Sequence, residues 1–277
     1  MDYTSMNSPH EQIRQETITW IQKAGAMARD RLGTAVASRK ADHSPVTDVD
    51  HAVQAALMQT IGRQYPHDAV ITEETQANPD RHASVVSAER CWVIDPIDGT
   101  RNYARGLPIF TISVALMEAG TPVVGWIFNP MTRQMYSASK SGGAWLDEQR
   151  IEATDGPFTG DSFIAVPSGR EEPLPPIIHQ WMDRAVFRTT GSTALNLALL
   201  ASGALDAVFC SNCRLWDVAA GILIAEEAGA IVRSPNGQQY FPIDLATYSN
   251  ATMPFLAAGP TLLNELLTEY QRDEQKP

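Results

Sequence analysis

The sequence predicts a mixed α/β fold, with helices on an antiparallel sheet over residues 1–158 and alternating strand and helix units over residues 159–277. Three observations carry this. Apolar residues recur at helical spacing early in the chain, then give way to strand-like runs from Ala69 to Phe128. Beyond about residue 158, short apolar strands alternate with apolar helical stretches. The 277 residues are 44% hydrophobic and 19% charged, enough apolar material for one large domain or two fused ones.

The first segment, Glu11 to Leu32, spaces Ile13, Ile18, Ile21, Ala24, Ala28 and Leu32 as an amphipathic helix. Gly33 to Val49 reads as a polar loop, and periodicity resumes through Val53, Leu57 and Ile61 as a second helix. AVIT at 69–72 and CWVI at 91–94 read as strands, and the runs at 110–117 and 122–128 as a hairpin turning at Ala119-Gly120. A soft boundary falls at 155–160, where ATDGPFTGD supplies turn residues. Then come strand SFIAV, a Pro-rich helical stretch, VFRTT, an apolar helix in GSTALNLALLASG, strand LDAVFC, and helix WDVAAGILIAEEAG ended by Gly229. Strands AIVR and FLAAG precede a last helix from Thr261 to about Gln271, with a frayed terminus.

A net charge of −11 opposes a polyanionic partner, so neither nucleic acid nor an anionic membrane is expected. No apolar run approaches the roughly 20 residues of a membrane-spanning helix. The N-terminus shows no basic region followed by an apolar run, and there are three Cys. Both point to a reduced, cytoplasmic setting.

The densest chemical signal is Trp92 to Thr100, an apolar strand ending in Asp95 and Asp98, with Pro96 stiffening the turn and Gly99 allowing a tight bend. Two carboxylates and the Thr100 hydroxyl facing one cleft would suit a divalent cation; an Asx turn capped by Thr100 is the plainer alternative. Glu73 and Glu74 follow strand AVIT in the same way. Asp217 opens an apolar helix, either as a cap or as a projecting ligand, and Asp48 and Asp50 precede the second helix, where its dipole favours acids.

Together these clusters resemble the inositol monophosphatase family, within the lithium-sensitive, Mg²⁺-dependent sugar-phosphatase superfamily. Asp95-Pro96-Ile97-Asp98-Gly99-Thr100-Arg101-Asn102-Tyr103 meets the family's D-P-x-D-G-T-x-N-[FY] motif, and Trp216 to Gly221 meets W-D-x-A-A-G. Thr72-Glu73-Glu74 stands for G-E-E with Thr in place of Gly, and Lys40 with Pro45-Val46-Thr47 and Asp50 stands for the K-…-P-V-T-x-x-D element. The resemblance runs from about residue 11 to 265. It implies a layered αβαβα sandwich of the sugar-phosphatase type and Mg²⁺-dependent hydrolysis of a small phosphate monoester, an inositol monophosphate or a related sugar or polyol phosphate.

By the same resemblance, two to three Mg²⁺ ions are held by Glu73, Asp95 and the Ile97 carbonyl, and by Asp95, Asp98 and Asp217. Thr100 paired with Asp50 activates the water, with Glu73 and Glu74 assisting, and the Gly99 and Thr100 N–H groups receive phosphate oxygens. Gly191, Ser192 and Thr193 contact substrate hydroxyls, though Ser192 or Thr193 also suits a plain helix N-cap. Lys40 lies in a loop near the site, as does His43. Cys210 stands where inositol phosphatases resemble one another in placing a ring-binding Glu, which points away from myo-inositol 1-phosphate as the best substrate. Rival activities are fructose-1,6-bisphosphatase and nucleotide 3′-phosphatase; the rival class is a non-catalytic binding module on the same fold. Inhibition by Li⁺ and a homodimer are carried over from the family. Cys210 and Cys213 form a C-x-x-C with no second pair to complete a zinc site.

Overall fold

The computed structural model describes residues 8–40, 45–75, 88–168 and 173–275. His43 lies outside them. Helix α1 (Pro9–Asp30) starts at an N-cap where Ser8 accepts from Glu11 N, with Pro9 in the first turn. A short antiparallel pair, β1 (Ala37–Arg39) and β2 (Pro45–Thr47), occupies the stretch expected to be a plain loop. Helix α2 (Asp48–Gln64) follows at once, one turn earlier than its apolar periodicity suggests.

The first sheet has seven strands in the order β3-β4-β5-β6-β7-β8-β9. These are β3 (Ala69–Thr72), β4 (Arg90–Asp98), β5 (Thr111–Glu118), β6 (Thr121–Asn129), β7 (Gln134–Ser139), β8 (Gly143–Leu146) and β9 (Gln149–Ile151). One departure from the expected antiparallel sheet matters for the site: β3 runs parallel to β4, with Thr72 opposite Ile94. Parallel pairing brings the C-terminal ends of both strands to one rim, so Glu73 and Asp95 leave the sheet side by side. A single-turn helix, α3 (Thr100–Tyr103), follows β4.

The second sheet is mixed, ordered β11-β10-β12-β14-β13. It comprises β10 (Phe163–Ala165), β11 (Val186–Arg188), β12 (Ala207–Cys210), β13 (Ile231–Arg233) and β14 (Phe255–Ala258), with α4 (Pro176–Met182), α5 (Thr193–Ala201), α6 (Leu215–Glu227) and α7 (Pro260–Glu274) between and after. Strands β10, β11 and β12 are parallel; β14 runs antiparallel to both β12 and β13.

The layers follow from which side chains alternate where. On β4, Trp92 and Ile94 pack with α1 and α2, while Cys91 and Val93 pack with α5 and α6. On β12, Val208 and Cys210 face α5 and α6, while Ala207 and Phe209 face α4 and α7. Helices α5 and α6 are thus covered on both sides, which explains why their sequences are apolar all round. The order is helices, sheet, helices, sheet, helices, a five-layer αβαβα sandwich. No helix among the described residues is long and apolar enough to cross a membrane.

Candidate active site and metal centre

Residues spaced three apart on a regular strand point to opposite faces, yet Asp95 and Asp98 converge. A bulge reconciles them: Asp95 pairs with Ser113 and Asp98 with Thr111, so three steps on β4 match two on β5. Ile97 N donates to Asp95 Oδ1 at 3.0 Å, so the Asx turn exists and serves to aim the carboxylate. Gly99 then turns the chain at φ 102°, where an added Cβ would lie 3.0 Å from the Ile109 carbonyl oxygen. Asn102 Nδ2 donates to the carbonyls of Ile109 and Thr190, both at 2.8 Å, and Tyr103 OH donates to Ala28 O at 2.7 Å. The motif therefore ties β4 to α1, to the 104–110 loop and to the second sheet's side of the molecule.

Across this rim, the first turn of α6 delivers Asp217, whose Oδ2 accepts from Arg214 N at 2.6 Å. Capping and projection are both true of it. Carboxylate oxygens of Asp95, Asp98 and Asp217 all lie within 4.8 Å of one another. Asp98 also caps α5 from outside the helix, its Oδ2 accepting from Ser192 Oγ and Ala194 N, both at 2.6 Å, and its Oδ1 from Thr193 N at 3.3 Å. Ser192 caps the same helix locally by accepting from Leu195 N at 3.2 Å.

The electrostatics of this trio are unfavourable without a cation. Burial, then the charges of Glu73 and of each other, push Asp95 well above the usual carboxylate range; burial and the same neighbours do so for Asp217. Asp98 rises to about 6 through burial, against the opposing effect of its hydrogen bonds from Ser192, Ala194 and Thr193. Among the described residues no Lys, Arg or His pairs with any of the three. Three clustered oxygen-donor side chains, Asp95 and Asp98 buried and Asp217 partly buried, with no basic partner are the donor set that a hard divalent cation takes.

Glu73 lies near enough for its charge to bear on all three acids, but its own hydrogen-bond partner is Lys40. Lys40 Nζ lies 2.6 Å from carboxylate oxygens of both Glu73 and Glu74. Although burial works to lower it, Lys40 is held above its ordinary range by these two acids. Burial and the Glu73 charge raise Glu74 to about 7, with Lys40 opposing. Two of the expected groups are therefore engaged with Lys40 rather than with Asp95.

Asp50 and Thr100 meet as the family pattern implies. Thr100 Oγ1 lies 2.8 Å from the Ile97 carbonyl oxygen and 3.2 Å from Asp50 Oδ1, and its one proton serves one of them at a time. Asp50 is fully buried and closes a capping box with Thr47, whose N donates to Asp50 Oδ2 at 2.9 Å. Burial raises its carboxyl above the ordinary range, against the hydrogen bonds from Thr47.

Beside the trio lies a cavity of about 230 Å³ whose walls include Gly191, Ser192, Thr193 and Cys210. Arg101, Asn196, Ser168 and Asn212 line it too, and sequence reasoning assigned them no role. A signal existed for Asn196, the one amide in the apolar helix TALNLALLA. Gly191 sits at φ 78°, and a Cβ there would come within 2.8 Å of Asn102 Nδ2. Cys210 and Cys213 are buried free thiols; Cys213 Sγ donates to Met253 O at 2.8 Å, and neither joins a metal-capable cluster among the described residues.

The chain matches the model of the inositol monophosphatase family over residues 10–276. It is 32% identical over 254 residues to the Nus factor SuhB of Pasteurella multocida, covering 89% of each chain. The Thermotoga maritima IMPase TM1415 has the same fold, with a TM-score of 0.83 at 24% identity, over 95% of this chain and 98% of that one. An IMPase/NADP phosphatase complexed with Mg²⁺ and phosphate superposes with a TM-score of 0.80 at 20% identity, over 95% and 96% of the two chains. The SuhB relative is named as a factor and not as a hydrolase, so kinship does not extend to the expectation, drawn from net charge, that nucleic acid is no partner. With its motifs folded into one rim and residues 10–276 matched, the chain belongs to the inositol monophosphatase family.

Proposed function

We propose that this chain is a Mg²⁺-dependent phosphatase that hydrolyses a small sugar or polyol phosphate. The observation that carries the reading is the trio Asp95, Asp98 and Asp217, two of them buried and the third partly so, without a basic partner among the described residues, beside both the Thr100–Asp50 pair and a small polar cavity. Asp95, Asp98 and Asp217 would hold one cation, and Asp95 with Glu73 and the Ile97 carbonyl another. Bound there, the ions offset the charge of the phosphate dianion and acidify water. When the Ile97 carbonyl is otherwise engaged, the Thr100 proton turns to Asp50, which leaves a hydroxyl lone pair to orient the attacking water. Asp50, its carboxyl raised by burial, is matched to receive the proton. Asp98 and Ser192 hold the start of α5 against the rim, which fixes the cavity that takes the alcohol half.

The test is phosphate release from a panel of inositol 1-phosphate, glycerol 2-phosphate, fructose 1,6-bisphosphate and nucleoside 3′-phosphates, with Mg²⁺ or with EDTA. Turnover should require Mg²⁺ and fall by more than about 100-fold in Asp95→Asn. Release that persists in EDTA or in that variant would overturn the reading. Inhibition by Li⁺ belongs to the same proposal and is read in the same assay; a homodimer is checked by light scattering.

The relatives' name favours a second reading, a non-catalytic role as a factor, on the same fold. Exchanging the gene of such a relative for the wild-type or the Asp95→Asn chain separates the two. Replacement by both would favour the factor reading, and replacement by the wild type alone the hydrolytic one.

A further inference from the structure

Resting on the hydrolytic reading of this site, we propose that the alcohol half of the substrate carries a second anionic group, a carboxylate or another phosphate, received by Arg101. The cavity next to the trio shares Ser192 and Thr193 with the hydrogen bonds that hold Asp98, so whatever fills it adjoins the reacting phosphate. Among the described residues its wall contains no Asp or Glu. It presents donors: the Arg101 guanidinium, the Ser168 and Thr193 hydroxyls, and the Asn196 amide, whose Oδ1 accepts from Thr190 Oγ1 at 2.7 Å and so leaves its N–H groups to the cavity. Cys210 puts a thiol, and no carboxylate that would repel an anion, on the same wall.

Arg101 is the informative residue. The other polar side chains of its motif are engaged: Asp95 with Ile97 N, Asp98 with α5, Thr100 with Asp50, Asn102 with two carbonyls and Tyr103 with α1. Arg101, between them on the single-turn helix, is exposed, lines the cavity and makes no ion pair or hydrogen bond with any described residue, in a chain whose net charge is −11. A guanidinium stays charged at any physiological pH and matches carboxylate and phosphate oxygens two at a time. The cavity volume lies below the roughly 300–1,000 Å³ of drug-sized ligand pockets, which favours a short sugar acid or sugar bisphosphate over a nucleotide.

Two matched pairs test this: 2-phosphoglycerate against glycerol 2-phosphate, which exchanges a carboxylate for a hydroxymethyl group, and fructose 1,6-bisphosphate against fructose 1-phosphate. The anionic member of at least one pair should have kcat/KM about ten-fold higher. The pair that shows it identifies the anion. Arg101→Gln should bring that ratio to about one, Arg101→Lys should keep part of it, and Cys210→Glu should lower it. Equal or better turnover of the esters that lack the second anion, or a ratio untouched by Arg101→Gln, would overturn the proposal. Calorimetric binding of the same four esters reads the preference without turnover. An Arg101-dependent preference in binding with no hydrolysis of any ester would keep the anion pocket and reject the phosphatase reading; no preference in binding would reject the pocket itself.

Discussion

Asp95 shows how one side chain sets stability against function. Its Oδ1 accepts from Ile97 N, and its carboxyl is forced toward the protonated state by burial and by the neighbouring acids. An Asn keeps the acceptor for Ile97 N and turns an amide toward Asp98 and Asp217, replacing repulsion by donation. Asp95→Asn should therefore be more stable than the wild type in EDTA at neutral pH, by ~1–3 kcal/mol, and should gain little from Mg²⁺. Paired thermal melts with and without the ion check this. Thr47 is the opposite case, a residue outside the expected catalytic set that fixes one inside it. Thr47→Ala removes the hydroxyl half of the capping box and should cost about 1 kcal/mol while loosening the Asp50 carboxylate, which keeps its bond from the backbone N–H of residue 47. Thr47→Val fills the space without the hydroxyl; it should match Thr47→Ala in lost activity if the hydrogen bonds, and not packing, position Asp50.

Among the elements, α6 carries the strictest packing requirement. It lies between two sheets and against α5, and its Ala219-Ala220-Gly221 run keeps that space small. A Cβ on Gly125 of β6 would sit 2.9 Å from the Ala220 carbonyl oxygen, and one on Gly221 would sit 2.6 Å from Leu197 Cδ1. Gly125→Ala should push α6 off the sheet, cost about 1–3 kcal/mol and weaken Mg²⁺ binding through Asp217, which titration calorimetry would show. The glycines in the motif are readable in the sequence; the partner they accommodate is not. The same limit explains what else the sequence conceals. Strand β7, QMYSAS, escapes pattern reading because Ser137 and Ser139, fully buried, hydrogen-bond to Arg14 and Glu11 of α1, so polar residues occupy core positions. Strand β1 is exposed throughout and has no apolar face to betray it. The parallel pairing of β3 with β4 is a long-range choice that local patterning does not encode. The acidic motifs are legible because tight turns and buried acids need particular residues, whereas the hold of Lys40 on Glu73 and Glu74 depends on a contact across 33 positions.

For the molecule as a whole, the acid cluster predicts an unusual pH response. Asp98 moves from 3.8 to about 6 on folding, so the native state binds protons more tightly than the unfolded chain. The stability this gives is complete below pH 4 and is lost as pH rises through 6, on the order of 3 kcal/mol for this group. Asp95 and Asp217 shift in the same direction. In EDTA, melting temperature should fall between pH 5 and pH 7.5, and added Mg²⁺ should restore it at 7.5 far more than at 5. A metal-free profile flat across that range would count against the cluster as described.

The placement of the three acids has a topological meaning as well. Asp95 and Asp98 end a strand of the first sheet, while Asp217 begins a helix roughly 120 residues further along the chain. An ion shared among them would close that stretch into a ring. Such a ring can be opened by a chelator and closed again by a salt. It would limit the excursions of an unfolding chain as a cross-link does: a force applied at the two termini could strip β13, β14 and α7, which lie beyond Asp217, but would leave β10, β11 and β12 inside the ring.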